Sequence, residues 1–188
     1  MIITYHGEGC FKIQSGNLSM VIDPLNDRMK PDVVLHTAAP FPGETPDPKI
    51  ITGPGEYEIE GIEIRGVQLF AESSPKLIKT VYMVTFEEIK LGFLGEAFDM
   101  PDVETIEALG EAEILFLPVG GKPYLEPEEA AKIVKQIEPS IVIPSFYKNP
   151  KDFFEEMGQK PEAQEKLVIK KKEVVELGES VKVVCLKV

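Results

Sequence analysis

Three short runs in this chain are almost wholly apolar: Asp32-Val33-Val34-Leu35-His36, Ile114-Leu115-Phe116-Leu117-Pro118-Val119 and Ser140-Ile141-Val142-Ile143-Pro144. Each is too short for a typical helix and too apolar for a strand with one wet face. Each therefore reads as a buried strand, and such strands need cover on both sides of their sheet. That requirement points to a layered fold.

Other strands surround these three. The first 25 residues read as a meander of Ile2–Tyr5, Cys10–Gln14 and Leu18–Ile22, with a turn at Ser15-Gly16-Asn17 and an end at Asp23-Pro24. Residues 56–70 alternate with period two and predict a hairpin turning at Glu60-Gly61. Val81–Phe86 and Ile89–Leu94 form a second pair around Glu87-Glu88. Helices are expected over Asp102–Leu109, Glu126–Ile137 and Lys151–Met157. The second is the clearest: Pro127 sits in its first turn, acids follow, and Ala130, Ile133, Val134 and Ile137 share a face. Leu167–Val175 and Ser180–Val188 read as a closing hairpin around Gly178. Residues 38–56 read as loop, because four prolines fall in the nine residues from Pro40 and leave no room for a helix or central strand.

Strands dominate, with helices between them and late in the chain, which makes the class α/β. At 188 residues and 43% hydrophobic content, one domain over 1–188 is expected. The charge is 20 basic minus 32 acidic residues, or −12, which disfavours nucleic acid or an anionic membrane as partner. The two cysteines, Cys10 and Cys185, form no CxxC pair, and no signal peptide or 18-residue apolar run is visible. A soluble protein of the reducing cytoplasm is expected. The chain has two histidines, too few for a multi-histidine metal site.

Several segments, in order, resemble the metallo-β-lactamase superfamily in its branch of small metal-dependent hydrolases. Ile3-Thr4-Tyr5-His6-Gly7-Glu8-Gly9-Cys10-Phe11 resembles the opening hairpin of that branch, and Met20-Val21-Ile22-Asp23-Pro24 its strand end in Asp-Pro. Gly53-Pro54-Gly55-Glu56-Tyr57 resembles the mid-domain hairpin, and Leu94-Gly95-Glu96 the place of a Gly-Asp pair. Leu117-Pro118-Val119-Gly120-Gly121 and Ile143-Pro144-Ser145-Phe146-Tyr147 resemble two later strand ends. The resemblance spans nearly the whole chain. It implies a four-layer αββα sandwich, two facing sheets with helices outside.

The same resemblance implies where metal ligands belong, and the chain departs from the pattern there. That family hydrolyses its substrates with metal-activated water, held by a His-x-His-x-Asp-His loop and later His, Asp and His positions. The loop positions fall here on Ala38, Pro40, Pro42 and Gly43. The next histidine position falls near Glu72 or Ser73, the bridging aspartate on Glu96 and the last histidine on Phe146. A histidine of the first hairpin falls on Glu8. The residues agree without the family: two histidines apart from any carboxylate cluster do not make a dinuclear site.

The candidate pocket at the family's positions is thus His36, Ala38, Pro40, Pro42, Gly43, Ser73, Glu96 and Phe146. Phe146, Phe41, Phe70 and Tyr147 could line it as an apolar plug. Glu96, with Asp99 and Asp102 close behind, reads first as part of a solvated acidic loop capping the next helix. His6 reads as structural, Cys10 as a packed thiol and Gly120-Gly121 as a turn or close approach rather than a phosphate loop. The expected function is a non-catalytic binding or interaction module on this fold, with no cofactor and a small molecule or protein as partner. The alternative is a metal-dependent hydrolase with a rearranged site, using His36, Glu44, Glu72, Glu96 and Asp99 with zinc or manganese. A third expectation is homo-oligomerisation through the closing hairpin.

Overall fold

The computed structural model describes residues 1–41, 47–178 and 180–188. The first sheet is built from β1 (Ile2–Tyr5), β2 (Phe11–Ser15), β3 (Leu18–Ile22), β4 (Val33–Leu35), β6 (Ile50–Ile51) and β13 (Leu167–Val168). Its order among the described residues is β13-β1-β2-β3-β4-β6, with β3, β4 and β6 parallel. The second sheet holds β7 (Gly55–Ile59), β8 (Ile62–Gln68), β9 (Leu77–Phe86), β10 (Ile89–Phe93), β11 (Ile114–Pro118), β12 (Ile141–Ser145) and β14 (Lys182–Val183). Its order is β14-β12-β11-β10-β9-β8-β7, and β10, β11, β12 and β14 are parallel.

Side-chain alternation explains the sandwich. Ile3, Tyr5, Phe11, Ile13, Met20, Ile22, Val33 and Leu35 of the first sheet face Tyr82, Val84, Leu91, Phe93, Ile114, Phe116, Ile141 and Ile143 of the second. At its centre the Phe116 ring lies 4.4 Å from Phe93 and 4.7 Å from Phe11, centroid to centroid. The intervening residues Val81, Leu115, Leu117 and Val142 point the other way, against α1 (Val103–Leu109), α2 (Pro127–Ile137) and α3 (Lys151–Glu156). Both faces of β11 and β12 are therefore dry, which is why their sequences are apolar at every position but the last of β12, Ser145. α2 buries Ala130, Ala131, Ile133, Val134 and Ile137, and α1 is capped by Asp102, whose carboxylate accepts from Thr105 N at 2.8 Å. The implied mixed α/β sandwich of two facing sheets with helices outside is what the structure shows. No helix among the described residues is long and apolar enough to cross a membrane.

Two expectations are corrected. The closing hairpin does not form. Lys171–Glu176 is a helix, α4, with Val174 in the inter-sheet core, and Lys171 Nζ is 2.7 Å from Glu113. Glu173 accepts from Lys170 N at 2.8 Å, a helix-start contact, and Val175 is exposed rather than alternating into a core. The flanking strands β13 and β14 join different sheets, so they cannot pair. Homo-oligomerisation through that hairpin loses its basis. The 38–56 stretch is also not all loop. β5 (Ala38–Pro40) pairs antiparallel with the start of β9, and β6 extends the first sheet. Pro40 ends β5 at an edge, where a missing donor is tolerated.

Candidate functional site

The parallel strands of both sheets end on the same side of the molecule, and their ends bring together residues distant in sequence. Asp23 follows β3, His36 follows β4, Glu96 lies just beyond β10, and Phe146 follows β12. These four, with Glu8, Pro24, Leu25, Ala38 and Tyr124, line a recess of about 450 Å³. Carboxyl ends of parallel strands are the usual place for ligand sites in open α/β sheets. An outer groove of about 950 Å³ shares Glu8, Leu25, Tyr124 and Phe146 with the recess and adds Tyr5, His6, Lys122, Tyr147 and Lys148.

Three of the seven non-glycine residues with positive φ among the described residues lie at the rim; the other four, Glu60, Glu87, Glu88 and Glu138, lie at turns and a helix end. Glu8 (φ 47°), Asp23 (φ 46°) and Phe146 (φ 51°) all adopt the left-handed conformation. Non-glycine residues held there cost of order 1–3 kcal/mol each and persist where the surroundings over-determine them. The surroundings of Phe146 do so. Its N–H donates to Tyr5 Oη at 3.2 Å, and its ring packs 4.6 Å from Tyr124, centroid to centroid. A Cβ on Gly9 would lie 2.2 Å from Phe146 Cζ, and a Cβ on Gly120 1.9 Å from Phe146 O. Both glycines are therefore required for Phe146 to occupy this position.

Asp23 sits deepest. Thr37 N donates to one carboxylate oxygen at 2.7 Å and Thr37 Oγ1 to the other at 2.5 Å. Burial nevertheless pushes its carboxyl up to about 6, the Thr37 hydrogen bonds opposing the rise and the Glu96 charge adding to it. Burial lowers His36, which favours neutral imidazole, and its ring makes no hydrogen bond to any described residue. Tyr124 is raised by burial and then by the charges of Glu96 and Glu8.

The recess thus unites four of the candidates read from sequence: His36, Ala38, Glu96 and Phe146. Others lie elsewhere. Ser73 Oγ donates to Leu69 O at 2.7 Å and accepts from Lys79 N at 3.1 Å, serving a turn beside the 3-10 segment Phe70–Glu72. Pro40 is exposed at the end of β5. Glu72 is paired with Lys79, and Asp99 is exposed, its amide held by Glu72. Pro42, Gly43 and Glu44 lie outside the described residues. Of the aromatic lining, Phe146 lines the recess and Tyr147 the outer groove, whereas Phe41 and Phe70 are exposed away from both. Asp23, Pro24, Leu25 and Tyr124 were not read as site residues. The available signal was a carboxylate placed directly after an apolar strand and before a proline.

The fold family implies metal, and the donor set decides whether one fits. No group of three or more His, Cys, Asp or Glu among the described residues stands so as to hold a metal ion. Each Asp23 oxygen already accepts one hydrogen bond from Thr37, and Ala38 and Phe146 offer no donor. These side chains do not fit a preformed metal centre.

A family model described as "Beta-lactamase superfamily domain" matches residues 2–145. A UPF0173 metal-dependent hydrolase from Methanopyrus kandleri is 28% identical over 99% of this chain and 96% of its own length. A UPF0173 protein from Pyrococcus abyssi is 28% identical over 78% of this chain and 83% of its own. Among solved structures, one from Thermotoga maritima, assigned to the metallo-β-lactamase superfamily, superposes with a TM-score of 0.78 at 25% identity. It covers 98% of this chain and 97% of its own. The metallo-β-lactamase fold protein YhfI from Bacillus subtilis shares the fold, with a TM-score of 0.64 at 8% identity over 98% and 96% of the two chains.

Proposed function

The chain belongs to the beta-lactamase superfamily domain family, and we propose on that premise that it works through the strand-end recess as a binding site for a small organic cation, without the family's hydrolysis. The observation that carries this reading is the coincidence of strain and charge in one cavity. Three left-handed residues and the carboxylates of Glu8, Asp23 and Glu96 surround the same 450 Å³. Natural folds retain such costs where function uses them. The carboxylates attract a positive ligand, and the Tyr124 and Phe146 rings offer it aromatic walls. The volume suits a small molecule.

A second reading has its own support. A relative matched over 99% of this chain is named a metal-dependent hydrolase, and His36 and Glu96 share the recess. On this reading the chain is a hydrolase with a rearranged site and takes zinc or manganese. The comparisons favour the second reading; the first rests on the strain and charge gathered in the recess.

Calorimetric titration with methylguanidinium and with 1,4-diaminobutane at pH 8 tests both. Saturable binding that is lost in Glu96→Gln and Glu8→Gln supports the binding reading. Absence of binding, together with metal-supported cleavage of a phosphoester, lactone or thioester that Glu96→Ala and His36→Ala abolish, assigns the site to the second.

A further inference from the structure

Glu72 and Lys79 lie outside the recess, yet they form an enclosed ion pair. Lys79 Nζ stands 3.2 Å from Glu72 Oε2, with side-chain exposures of 10% and 4%. The same ammonium donates to Glu96 O at 2.6 Å and lies 4.5 Å from the Phe98 ring centroid. The other Glu72 oxygen accepts from Phe98 N at 3.0 Å and Asp99 N at 3.1 Å. Apart from their bond to each other, the two charged groups make their polar contacts with residues 96–99, the loop that carries Glu96. Gly95 fixes the other side of that loop. Its φ is +63°, and a Cβ there would lie 2.4 Å from Thr37 Cβ, the residue that grips Asp23.

A buried ion pair is weak evidence for stability, because apolar replacement of both partners is often neutral or stabilising. A pair whose contacts converge on one loop points instead to placement of that loop. We propose that Glu72 and Lys79 are positioning residues that hold the Glu96 carboxylate toward Asp23 in the recess. This rests on the recess being the working site. It explains why the position that resembles a ligand site at residue 72 carries a carboxylate that never enters the recess: its work is done through the backbone of Glu96.

The test uses the full chain. Lys79→Met alone leaves Glu72 charged and enclosed, so the informative variant is the double replacement Lys79→Met with Glu72→Met. The amides it frees, at Phe98 and Asp99, belong to exposed residues that water can reach. Glu96→Gln is the reference. The readouts are the melting temperature and the titration of the Asp23 side-chain carboxyl by ¹³C NMR. The groups facing Asp23 are Glu96, Glu8, His36 and Tyr124, with Cys10 and Tyr82 also close enough to feel its charge. Burial raises Cys10, Tyr82 and Tyr124, so they stay protonated across the range scanned.

The double variant is expected to melt within a few degrees of the wild type, with its Asp23 midpoint lowered as far as in Glu96→Gln. A wild-type midpoint in the double variant, with Glu96→Gln lowered, overturns the proposal. So does a Glu96→Gln midpoint equal to wild type, or a double variant that does not fold. If the midpoints shift as expected but the organic cations do not bind the wild type, the positioning role stands and the binding reading of the recess fails.

Discussion

Asp23→Asn is expected to stabilise this protein at pH 8, an unusual result for a buried, doubly hydrogen-bonded residue. The carboxyl is raised from its ordinary 3.8 to about 6, chiefly by burial. At about 1.36 kcal/mol per pH unit, the charged form costs the fold about 3 kcal/mol at high pH. Asn removes that charge and can keep both contacts, its Oδ1 accepting from Thr37 N and its amide donating to Thr37 Oγ1. Between pH 3.8 and about 6 the native state binds more protons than the unfolded state, so this group's contribution falls as pH rises through that window. The advantage of Asn over Asp should therefore be greatest above the window and vanish below it, with about half remaining at pH 5. Allowing for imperfect amide geometry, a gain of about 1–3 kcal/mol is expected at pH 8, or roughly 3–10 °C in melting temperature for a chain of this size. Urea unfolding of both proteins at pH 5 and pH 8 measures it. An Asn variant less stable at pH 8, or a gain independent of pH, would show that the fold satisfies this charge and would refute the argument that Asp23 is held against stability for function.

Gly9→Ala should cost about 2–4 kcal/mol, since it adds left-handed strain to a 2.2 Å clash with Phe146. In a Phe146→Ala background only the strain should remain, about 1–2 kcal/mol, and a double-mutant cycle by urea unfolding reads the coupling. Gly120→Ala meets Phe146 backbone at 1.9 Å, so the end of β12 must move; cation binding should disappear even where the variant still folds, as calorimetry would show. Lys79→Met alone should lose about 3–5 kcal/mol by stranding the Glu72 charge, a loss the double methionine variant should largely restore in thermal melts.

Much of the sandwich is legible in the sequence because its pattern is local. The apolar runs of β11 and β12 report two dry faces, and the Pro127 start and apolar face of α2 report a helix. What is illegible depends on distant partners. β13 and β14 have two residues each and exist only because β1 and β12 offer them edges. The Lys-rich stretch between them folds as α4 because Val174 finds the inter-sheet core and Lys171 finds Glu113. The site divides in the same way. The resemblance puts His36, Glu96 and Phe146 among the site positions, and the three meet in one recess because each stands just beyond a strand. Asp23 is missed because its neighbour Pro24 makes it look like turn punctuation, and only the meeting of both sheets shows that it shares a recess with Glu8 and Glu96. Ser73 is misplaced because the 3-10 turn and the Lys79 backbone, not strand alternation, set its direction.

The account stands or falls on whether these side chains assemble a metal centre. Purified protein exposed to zinc and to manganese, dialysed, and analysed for elements decides the matter. Metal well below one ion per chain is expected for the wild type, with no change on Glu96→Ala or His36→Ala. One or two ions retained per chain, and lost in those variants, would contradict it and make the recess a rearranged hydrolase site.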